Sequence, residues 1–262
     1  MRGVSTGPLI VAHRGESHDA PENTLAAFEL AWARDDQAIE LDVRLTADGK
    51  LIVCHDADTF RTTGVHRLIA ESSLGELQRL DAGAWKGPEW ASETMPTLEA
   101  ALATVPPGGM CLIEVKVGPE AVHVMAGVLK ACSLTPGQTV VISFNSAALA
   151  EVRVQMPRVP THLLSAFRRE DGVEERQPVW DALIAEAHRI GAGALNVHYA
   201  GPITRAAVEQ VHQAGLGLFV WTVDDIEPAL RLASVGVDGM TSNRAAWLRA
   251  MLARERAPVD ES

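Results

Sequence analysis

The sequence has 262 residues, 47% of them hydrophobic, and a formal net charge of −11. The negative charge disfavours binding to nucleic acid or to an anionic membrane surface, and no apolar run reaches the roughly 18 residues that span a bilayer, so we expect no stable membrane insertion. Three well-separated cysteines and no apolar leader argue against a disulfide framework and favour a cytoplasmic protein.

Short β-branched runs alternate with longer helical patterns along the chain. The predicted strands are residues 9–13, 38–44, 110–116, 139–143, 159–163, 194–197, 217–222 and 239–241. The predicted helices are residues 24–34, 97–104, 121–132, 147–155, 179–190, 205–214, 227–235 and 245–254. Strands that alternate with helices of this length pair in parallel through crossovers. Eight such units predict an α/β fold, a single (β/α)8 TIM barrel in which residues 1–262 form one domain.

One segment departs from this alternation, directly after the second predicted strand. Asp48-Gly49 is a two-residue turn signal between apolar runs and predicts an extra hairpin. Residues 56–95 are then irregular, and we predict a small insertion on the catalytic face of the barrel, where such loops shape the active site. Residues 255–262 have the composition of a frayed polar tail.

Charged and apolar residues alternate strictly in residues 38–45, AIELDVRL. Because successive side chains in a strand point to opposite faces, Glu40, Asp42 and Arg44 share one face. The apolar face suits the helix layer outside a barrel, so the charged face should point into it. An ion-pair network around Arg44 is the structural alternative, since charges inside a barrel are costly unless they are paired.

The third predicted strand repeats the pattern, because Glu114 and Lys116 share one face of CLIEVKV at residues 111–117. Glu40, Asp42 and Glu114 would then converge inside the barrel and repel each other unless a cation lies among them. Ligand sets made only of oxygen suit Mg²⁺ or Ca²⁺, with Mn²⁺ as a substitute. We therefore predict a divalent metal site, whose charge would also assist a phosphodiester reaction.

Two histidines end apolar runs, His13 after LIVA and His55 after LIVC. A lone histidine at a strand end is usually structural, but a pair beside a carboxylate cluster can act as general acid and general base. The residues alone do not assign the two roles. A phosphate site in a protein this acidic requires local positive charge, for which Arg14, Arg44 and Lys116 are the candidates.

Other polar and aromatic residues near predicted strand ends are weaker candidates. They are Phe144, Asn196, His198 and Trp221. Each fits a pocket or the core, and a pocket wall is favoured for Trp221. Glu22 fits either the site or the dipole of the following helix. Asn23 or Thr24 is predicted to cap that helix, a role that would account for Asn23.

A series of motifs runs through nearly the whole chain. They are HRG at 13–15, PENT at 21–24, AIELDVRLTADGKLIVCHD at 38–56, RTTG at 61–64, MPTLEAAL at 95–102, IEVK at 113–116, SF at 143–144, WTVD at 221–224 and GVDGMTSN at 236–243. In this order they resemble the glycerophosphodiester phosphodiesterase family. The resemblance implies a barrel with a small insertion after its second strand. It also implies hydrolysis of a small-molecule glycerophosphodiester to sn-glycerol 3-phosphate and an alcohol.

The resemblance further implies a role for each residue that matches a family motif. The metal ligands would be Glu40, Asp42 and Glu114, the acid/base pair His13 and His55, the phosphate-binding residues Arg14 and Lys116, and the glycerol contacts Phe144 and Trp221. In the family's usual picture the glycerol 2-hydroxyl attacks phosphorus, and water then opens the cyclic phosphate. The sequence departs from the family's motif at one place that concerns the site: it has Ser242-Asn243 where a Thr-Asp pair is frequent in the family.

Two alternative functions remain open at this point. A related phospholipase D-like lyase on the same barrel is less favoured, because the complete PENT motif and the long insertion resemble the hydrolases. A catalytically silent barrel that binds a phosphorylated ligand would not need a pair of histidines beside three carboxylates, yet all five of these residues are present.

Overall fold

The computed structural model describes residues 7–166 and 180–256. Within them, the strands are β1 (Leu9–His13), β2 (Ala38–Leu45), β3 (Leu51–Val53), β4 (Met110–Val115), β5 (Thr139–Ser143), β6 (Thr161–Ser165), β7 (Ala194–His198), β8 (Gly217–Trp221) and β9 (Gly239–Ser242). The α-helices are α1 (Leu25–Ala33), α2 (Phe60–Thr63), α3 (Leu74–Leu77), α4 (Leu98–Ala103), α5 (Glu120–Ala131), α6 (Ser146–Gln155), α7 (Trp180–Ile190), α8 (Arg205–Gln213), α9 (Ile226–Val235) and α10 (Ala245–Arg256). Short 3-10 helices cover Ile69–Glu71, Pro88–Trp90 and Pro136–Gln138.

Two predictions fall partly beyond these ranges. The predicted start of a helix at residue 179 and residues 257–262 of the predicted polar tail lie outside the described residues. Every helix in residues 7–166 and 180–256 is too short or too polar to cross a bilayer. The cytoplasmic location stays a prediction.

The barrel closes through its first strand. β1 pairs in parallel with both β2 and β9, and the remaining neighbours follow in the order β9, β8, β7, β6, β5, β4 and β2, again in parallel. Among the described strands only β3 pairs antiparallel, and it lies beside β2, outside the ring. Eight parallel strands with intervening helices form a TIM barrel, which confirms the predicted fold.

Apolar side chains on the outer face of the ring pack against the helices. β2 contributes Ile39, Leu41 and Val43 to this core, and all three are fully buried. The alternate positions of the same strand, Glu40 and Asp42, therefore point to the inside of the barrel. The charged face predicted from the sequence is thus the interior face.

The insertion begins with β3 and carries a small core of its own. Its buried members are Ile52, Cys54, Ile69, Leu77, Ala82 and Met95. Gly49 has a φ of 70°, the left-handed conformation that lets the chain reverse at the predicted Asp48-Gly49 turn. Because Cys54 is anchored in this core, the next residue, His55, is held at the mouth of the barrel.

One strand is displaced from its prediction by two residues, whereas the boundaries of the other barrel strands agree within one residue. The fifth barrel strand was predicted at residues 159–163, whereas β6 begins at Thr161. Pro160 has no N–H group, and only its carbonyl joins the neighbouring strand, by accepting a hydrogen bond from Val141 at 2.9 Å. The apolar residues that predicted this strand therefore begin at residue 159, before the hydrogen-bonded strand begins at Thr161.

Candidate active site

A cavity of about 460 Å³ opens at the carboxyl ends of the barrel strands. The predicted residues that line it are His13, Arg14, Glu40, His55, Glu114, Lys116, Phe144 and Trp221. Further lining residues are Ile142, Leu164, Ala166, Asn196, Thr222 and Thr241. Asp42 is fully buried next to Glu40 and Glu114. The fold therefore brings the predicted metal ligands, the two histidines, Arg14, Lys116 and the two predicted glycerol contacts together at the face where TIM barrels carry their active sites.

Three carboxylates form a tight cluster inside the barrel. Asp42 of β2 lies opposite Glu114 of β4 in the parallel register, and oxygen atoms of Glu40, Asp42 and Glu114 lie within 4.8 Å of one another. Oε1 of Glu40 and Oδ1 of Asp42 are buried without a hydrogen-bond partner among the described residues. Burial and repulsion from Asp42 raise the pKa of Glu40 well above its ordinary value and also raise that of Glu114.

The cluster fits a divalent cation. Oε1 of Glu40 is a buried acceptor without a donor among the described residues, which is costly, and a cation would supply the missing partner. Burial by itself raises the pKa of Asp42, but Arg14 and Lys116 outweigh it and lower that pKa to about 2. At least one ligand is therefore anionic at neutral pH, as an oxygen-ligated cation requires.

Arg14 directs both its backbone and its side chain toward carboxylates. It has a φ of 56°, its backbone N–H donates to Oε2 of Glu40 at 3.1 Å, and its Nε lies 3.2 Å from Oδ2 of Asp42. Its guanidinium also donates to Oε1 of Glu22 at 2.7 Å. Glu22 therefore lies beside the site. The sequence had left open whether this residue belongs to the site or interacts with the dipole of the following helix.

The other two candidate cations differ in position. Nζ of Lys116 donates to Glu114 at 2.8 Å and lies 3.4 Å from Oδ1 of Asp42, at the cavity wall. The guanidinium of Arg44 instead donates twice to the backbone carbonyl of His55, at 2.9 and 2.8 Å. Arg44 thus fixes the segment that carries His55 and, unlike Lys116, does not line the cavity.

His13 is oriented by an amide that is itself oriented by a carboxylate. Nδ2 and the backbone N–H of Asn243 donate to Asp224 at 2.6 and 2.8 Å, while Oδ1 of Asn243 lies 2.7 Å from Nδ1 of His13. Because the carboxylate only accepts, the amide oxygen faces His13 and the ring proton lies on Nδ1. Nε2 is then an acceptor, 3.9 Å from Oε2 of Glu40. Burial, with Arg14 nearby, lowers the pKa of His13 to about 4.

His55 has a more exposed and more acidic setting. Its Nδ1 lies 2.7 Å from Oδ1 of Asp56, whose other oxygen accepts from Arg61 at 2.6 Å. Arg61, from the RTTG motif, also donates to both carboxylate oxygens of Glu22 at 2.6 and 2.8 Å. Burial lowers the pKa of His55, against the opposing effect of nearby carboxylates. Asp56 therefore orients His55.

The capping role that was predicted to account for Asn23 is wrong. Thr24 is the N-cap of α1, with its side chain accepting from Ala27. Asn23 has a φ of 59°, donates from Nδ2 to Oδ2 of Asp42 at 2.8 Å, and accepts from the backbone N–H of Asp42 at 3.3 Å. It is therefore a buried support for a carboxylate of the cluster. Asn23 belongs to the PENT motif, which indicated that it could have a role at the site. Asparagine is also common at helix starts, however, and that preference alone was sufficient to explain its position.

Aromatic side chains form the wall away from the carboxylates. Phe144 and Trp221 meet edge to face, with ring centroids 5.7 Å apart, and the ring of His198 meets Trp221 in the same manner at 5.1 Å. The indole Nε1 of Trp221 donates to the backbone carbonyl of Asn196 at 3.2 Å. The cavity thus has a charged side and an apolar side.

Comparison with known proteins agrees with this geometry. Residues 13–246 match the model of the Glycerophosphoryl diester phosphodiesterase family. The chain is 35% identical over 240 residues to YhdW of Bacillus subtilis strain 168, named provisionally as a glycerophosphodiester phosphodiesterase, with 89% of this chain and 93% of YhdW covered. It is 33% identical over 240 residues to a glycerophosphodiester phosphodiesterase of Caldanaerobacter subterraneus subsp. tengcongensis, with 90% and 93% covered.

A solved structure is similar over the same extent. A phosphodiesterase of Oleispira antarctica, in complex with the product sn-glycerol-3-phosphate, matches with a TM-score of 0.84 and 28% identity, covering 95% of this chain and 98% of that one. The similarities in sequence and in structure therefore extend over nearly the whole of each protein.

Proposed function

Since this chain belongs to the glycerophosphoryl diester phosphodiesterase family, we propose that it hydrolyses glycerophosphodiesters to sn-glycerol 3-phosphate and an alcohol. One observation carries the proposal, the convergence in a single cavity of a buried carboxylate cluster, two histidines and an aromatic wall. The charged side suits a phosphodiester and the aromatic side suits the carbon chain of a glyceryl group.

Glu40, Asp42 and Glu114 hold the divalent cation in this proposal. Oxygen-only ligands favour Mg²⁺ or Ca²⁺, with Mn²⁺ as a substitute. The bound cation supplies positive charge that stabilises the charge developing on phosphate oxygens. Support comes from Oε1 of Glu40, a buried oxygen that lacks a hydrogen-bond partner among the described residues. Arg14 and Lys116, both anchored on these carboxylates, bind the non-bridging phosphate oxygens.

His13 is the general base of the first step. Its Nε2 takes the proton of the glycerol 2-hydroxyl, whose oxygen attacks phosphorus. Support comes from Asn243, which holds the ring proton on the opposite nitrogen, Nδ1. A low pKa keeps His13 neutral at neutral pH, as a base must be.

His55 is the general acid of the same step. The bond between phosphorus and the leaving alcohol breaks, and the alcohol oxygen takes a proton from Nε2 of His55. Asp56 favours the protonated ring and so opposes the burial that lowers the pKa of this histidine. In the second step His55 takes a proton from water, which opens the cyclic phosphate, and His13 returns its proton to the 2-oxygen. Phe144 and Trp221 pack on the glycerol carbons throughout.

The experiment is a ³¹P NMR time course with glycerophosphocholine. Protein freed of metal by EDTA is assayed alone and after addition of Mg²⁺, Ca²⁺ or Mn²⁺. We expect glycerol 3-phosphate to form only when a divalent cation is present. Accumulation of the cyclic phosphate alone would identify a lyase, and binding without turnover under all these conditions would identify a silent barrel; either result would contradict the proposal.

A further inference from the structure

Asn196 is a polar residue in an apolar part of the barrel interior. It lies in β7 between Leu195 and Val197, which are fully buried in the core outside the ring, so its own side chain points inward. Its register neighbour on β6 is Leu164, and both residues line the active-site cavity. Asn196 is only 1% exposed.

The amide of Asn196 has unused hydrogen-bonding capacity. Its Oδ1 is buried without a hydrogen-bond partner among the described residues. Buried side-chain oxygens are nearly always paired, so an unpaired one on a residue that lines a cavity indicates a ligand that supplies the missing partner. The backbone carbonyl of Asn196 meanwhile accepts from the indole of Trp221, which holds that ring beside the amide.

The position of β7 in the ring identifies which part of a ligand would reach this amide. In the closed order β1, β2, β4, β5, β6, β7, β8 and β9, β7 stands diametrically opposite β2, which carries Glu40 and Asp42. A phosphodiester held at the carboxylates by its phosphate would therefore extend toward Asn196 with the end of its glyceryl group.

We propose that Asn196 selects the glyceryl group by forming a hydrogen bond with its terminal hydroxyl, the one that takes no part in the reaction. This inference rests on the proposed function. The 2-hydroxyl is next to the phosphate-bearing carbon and serves as the nucleophile, whereas the terminal hydroxyl is the polar atom farthest from phosphorus. The aromatic pair Phe144 and Trp221 covers the carbon chain, and Asn196 is the polar contact at its end.

Two kinds of diester should then be poor substrates. A diester with a methyl group in place of the terminal CH2OH leaves the buried amide unpaired, and a site built to pair a hydroxyl strongly rejects such analogues. A diester acylated at that hydroxyl, as in a lysophospholipid, cannot donate to Oδ1. Its acyl chain would also have to fit into the part of the cavity that Asn196 and Leu164 line. Both retain the reacting 2-hydroxyl.

The test compares glycerophosphocholine with 2-hydroxypropyl phosphocholine, which lacks only the terminal hydroxyl. For the wild-type protein with its divalent cation we expect kcat/KM to favour the glyceryl substrate about 100-fold, because the analogue leaves a buried polar group unpaired. Asn196→Leu, of similar volume, should lower kcat/KM for the glyceryl substrate about 100-fold, leave the analogue within about threefold, and so remove the preference. Leu164→Ala is the matched control. It changes the packing next to Asn196 in the same cavity but removes no polar group, so it should affect both substrates equally.

A second measurement needs no variant. Calorimetry with glycerol 3-phosphate and with 2-hydroxypropyl phosphate should show weaker binding of the latter by a similar factor. Equal kcat/KM for the two diesters in the wild type, or an equal loss on both in Asn196→Leu, overturns the role of Asn196 while leaving the proposed function intact. If the wild type hydrolyses neither diester, the proposed function is wrong and this inference falls with it.

Discussion

Nδ1 of His13 lies 2.7 Å from the side-chain oxygen of Asn243, on the loop that follows the last barrel strand. The amide cannot turn over without losing its hydrogen bond to Asp224 and placing an N–H against that of the ring. The negative charge in this series of hydrogen bonds is on Asp224, which contacts Asn243 and not His13.

Removal of the charge at Asp224 should free the amide of Asn243. In Asp224→Asn the amide of Asn243 has no fixed orientation, so the neutral ring of His13 no longer has a preferred tautomer. We expect kcat to fall about 10- to 100-fold, as for other orienting partners of a functional side chain, with KM little changed. ¹⁵N NMR of the histidine rings measures the position of the proton directly. A wild-type spectrum with the His13 proton on Nε2 would contradict the assignment of this residue as base.

The double variant Asp224→Asn/Asn243→Asp should recover the orientation but move the pH profile. The carboxylate at position 243 then accepts from Nδ1 of His13 directly and stabilises the protonated ring, so the pKa of His13 rises from its value of about 4. A base is inactive below its pKa, so kcat/KM should begin to fall at a higher pH than in the wild type. A pH–rate profile checks this, and an unchanged or lowered acid limb would show that His13 is not the base.

Asn23 and Thr24 are neighbours with separable roles. Asn23→Gly removes the contact with Asp42 and keeps a residue that tolerates positive φ, so we expect metal affinity to fall about 10- to 100-fold. Thr24→Ala removes the cap of α1, so we expect a loss of about 1 kcal/mol in the free energy of unfolding with metal affinity retained. Metal titration and denaturant unfolding of both variants measure the two effects. Equal metal affinity in the wild type and Asn23→Gly would contradict the supporting role.

A divalent cation should stabilise the fold through the three carboxylates. Burial and mutual repulsion raise the pKa of Glu40 and Glu114, and a bound cation would offset both effects. Binding to the folded state adds about 2.7 kcal/mol at 100 times the dissociation constant. The melting temperature should therefore rise with Mg²⁺ or Ca²⁺ in the wild type and in the control Glu99→Gln, but much less in Glu40→Gln. The same increase in all three proteins would place the cation elsewhere.

Lys116 should contribute to phosphate binding. Lys116→Met removes the ammonium next to Glu114 and Asp42 but keeps the length of the side chain. We expect affinity for glycerol 3-phosphate to fall about 10- to 100-fold, the range for a hydrogen bond with a charged group. Lys50→Met, at an exposed position directly after the Asp48-Gly49 turn, is the control. Calorimetry with all three proteins measures the difference, and equal affinities would exclude Lys116 as a phosphate ligand.

Local patterns were sufficient to predict the carboxylate cluster. The side-chain period of a strand is a property of the backbone, so alternation in residues 38–45 and 111–117 placed Glu40, Asp42 and Glu114 inside the barrel before any tertiary contact was known. The family resemblance drawn from the motifs is confirmed by the match over residues 13–246.

Partners that depend on closure of the barrel were not predictable in the same way. Asn243 reaches His13 only because β9 pairs with β1 across nearly the full length of the chain. Because asparagine is common at helix starts, the sequence predicted a capping role that would account for Asn23. That prediction was wrong, since Asn23 instead supports Asp42. The unpaired amide of Asn196 likewise emerges only when the surrounding strands are in place.

The central claim is that the metal-loaded protein cleaves a glycerophosphodiester by attack of the substrate's own 2-hydroxyl, with His13 as base. The most direct measurement compares phosphomonoester release from glycerophosphocholine and from its 2-deoxy analogue in the presence of a divalent cation. We predict release of sn-glycerol 3-phosphate from the first and no detectable cleavage of the second. Cleavage of both at equal rates would contradict the claim, because water would then attack phosphorus without help from the 2-hydroxyl.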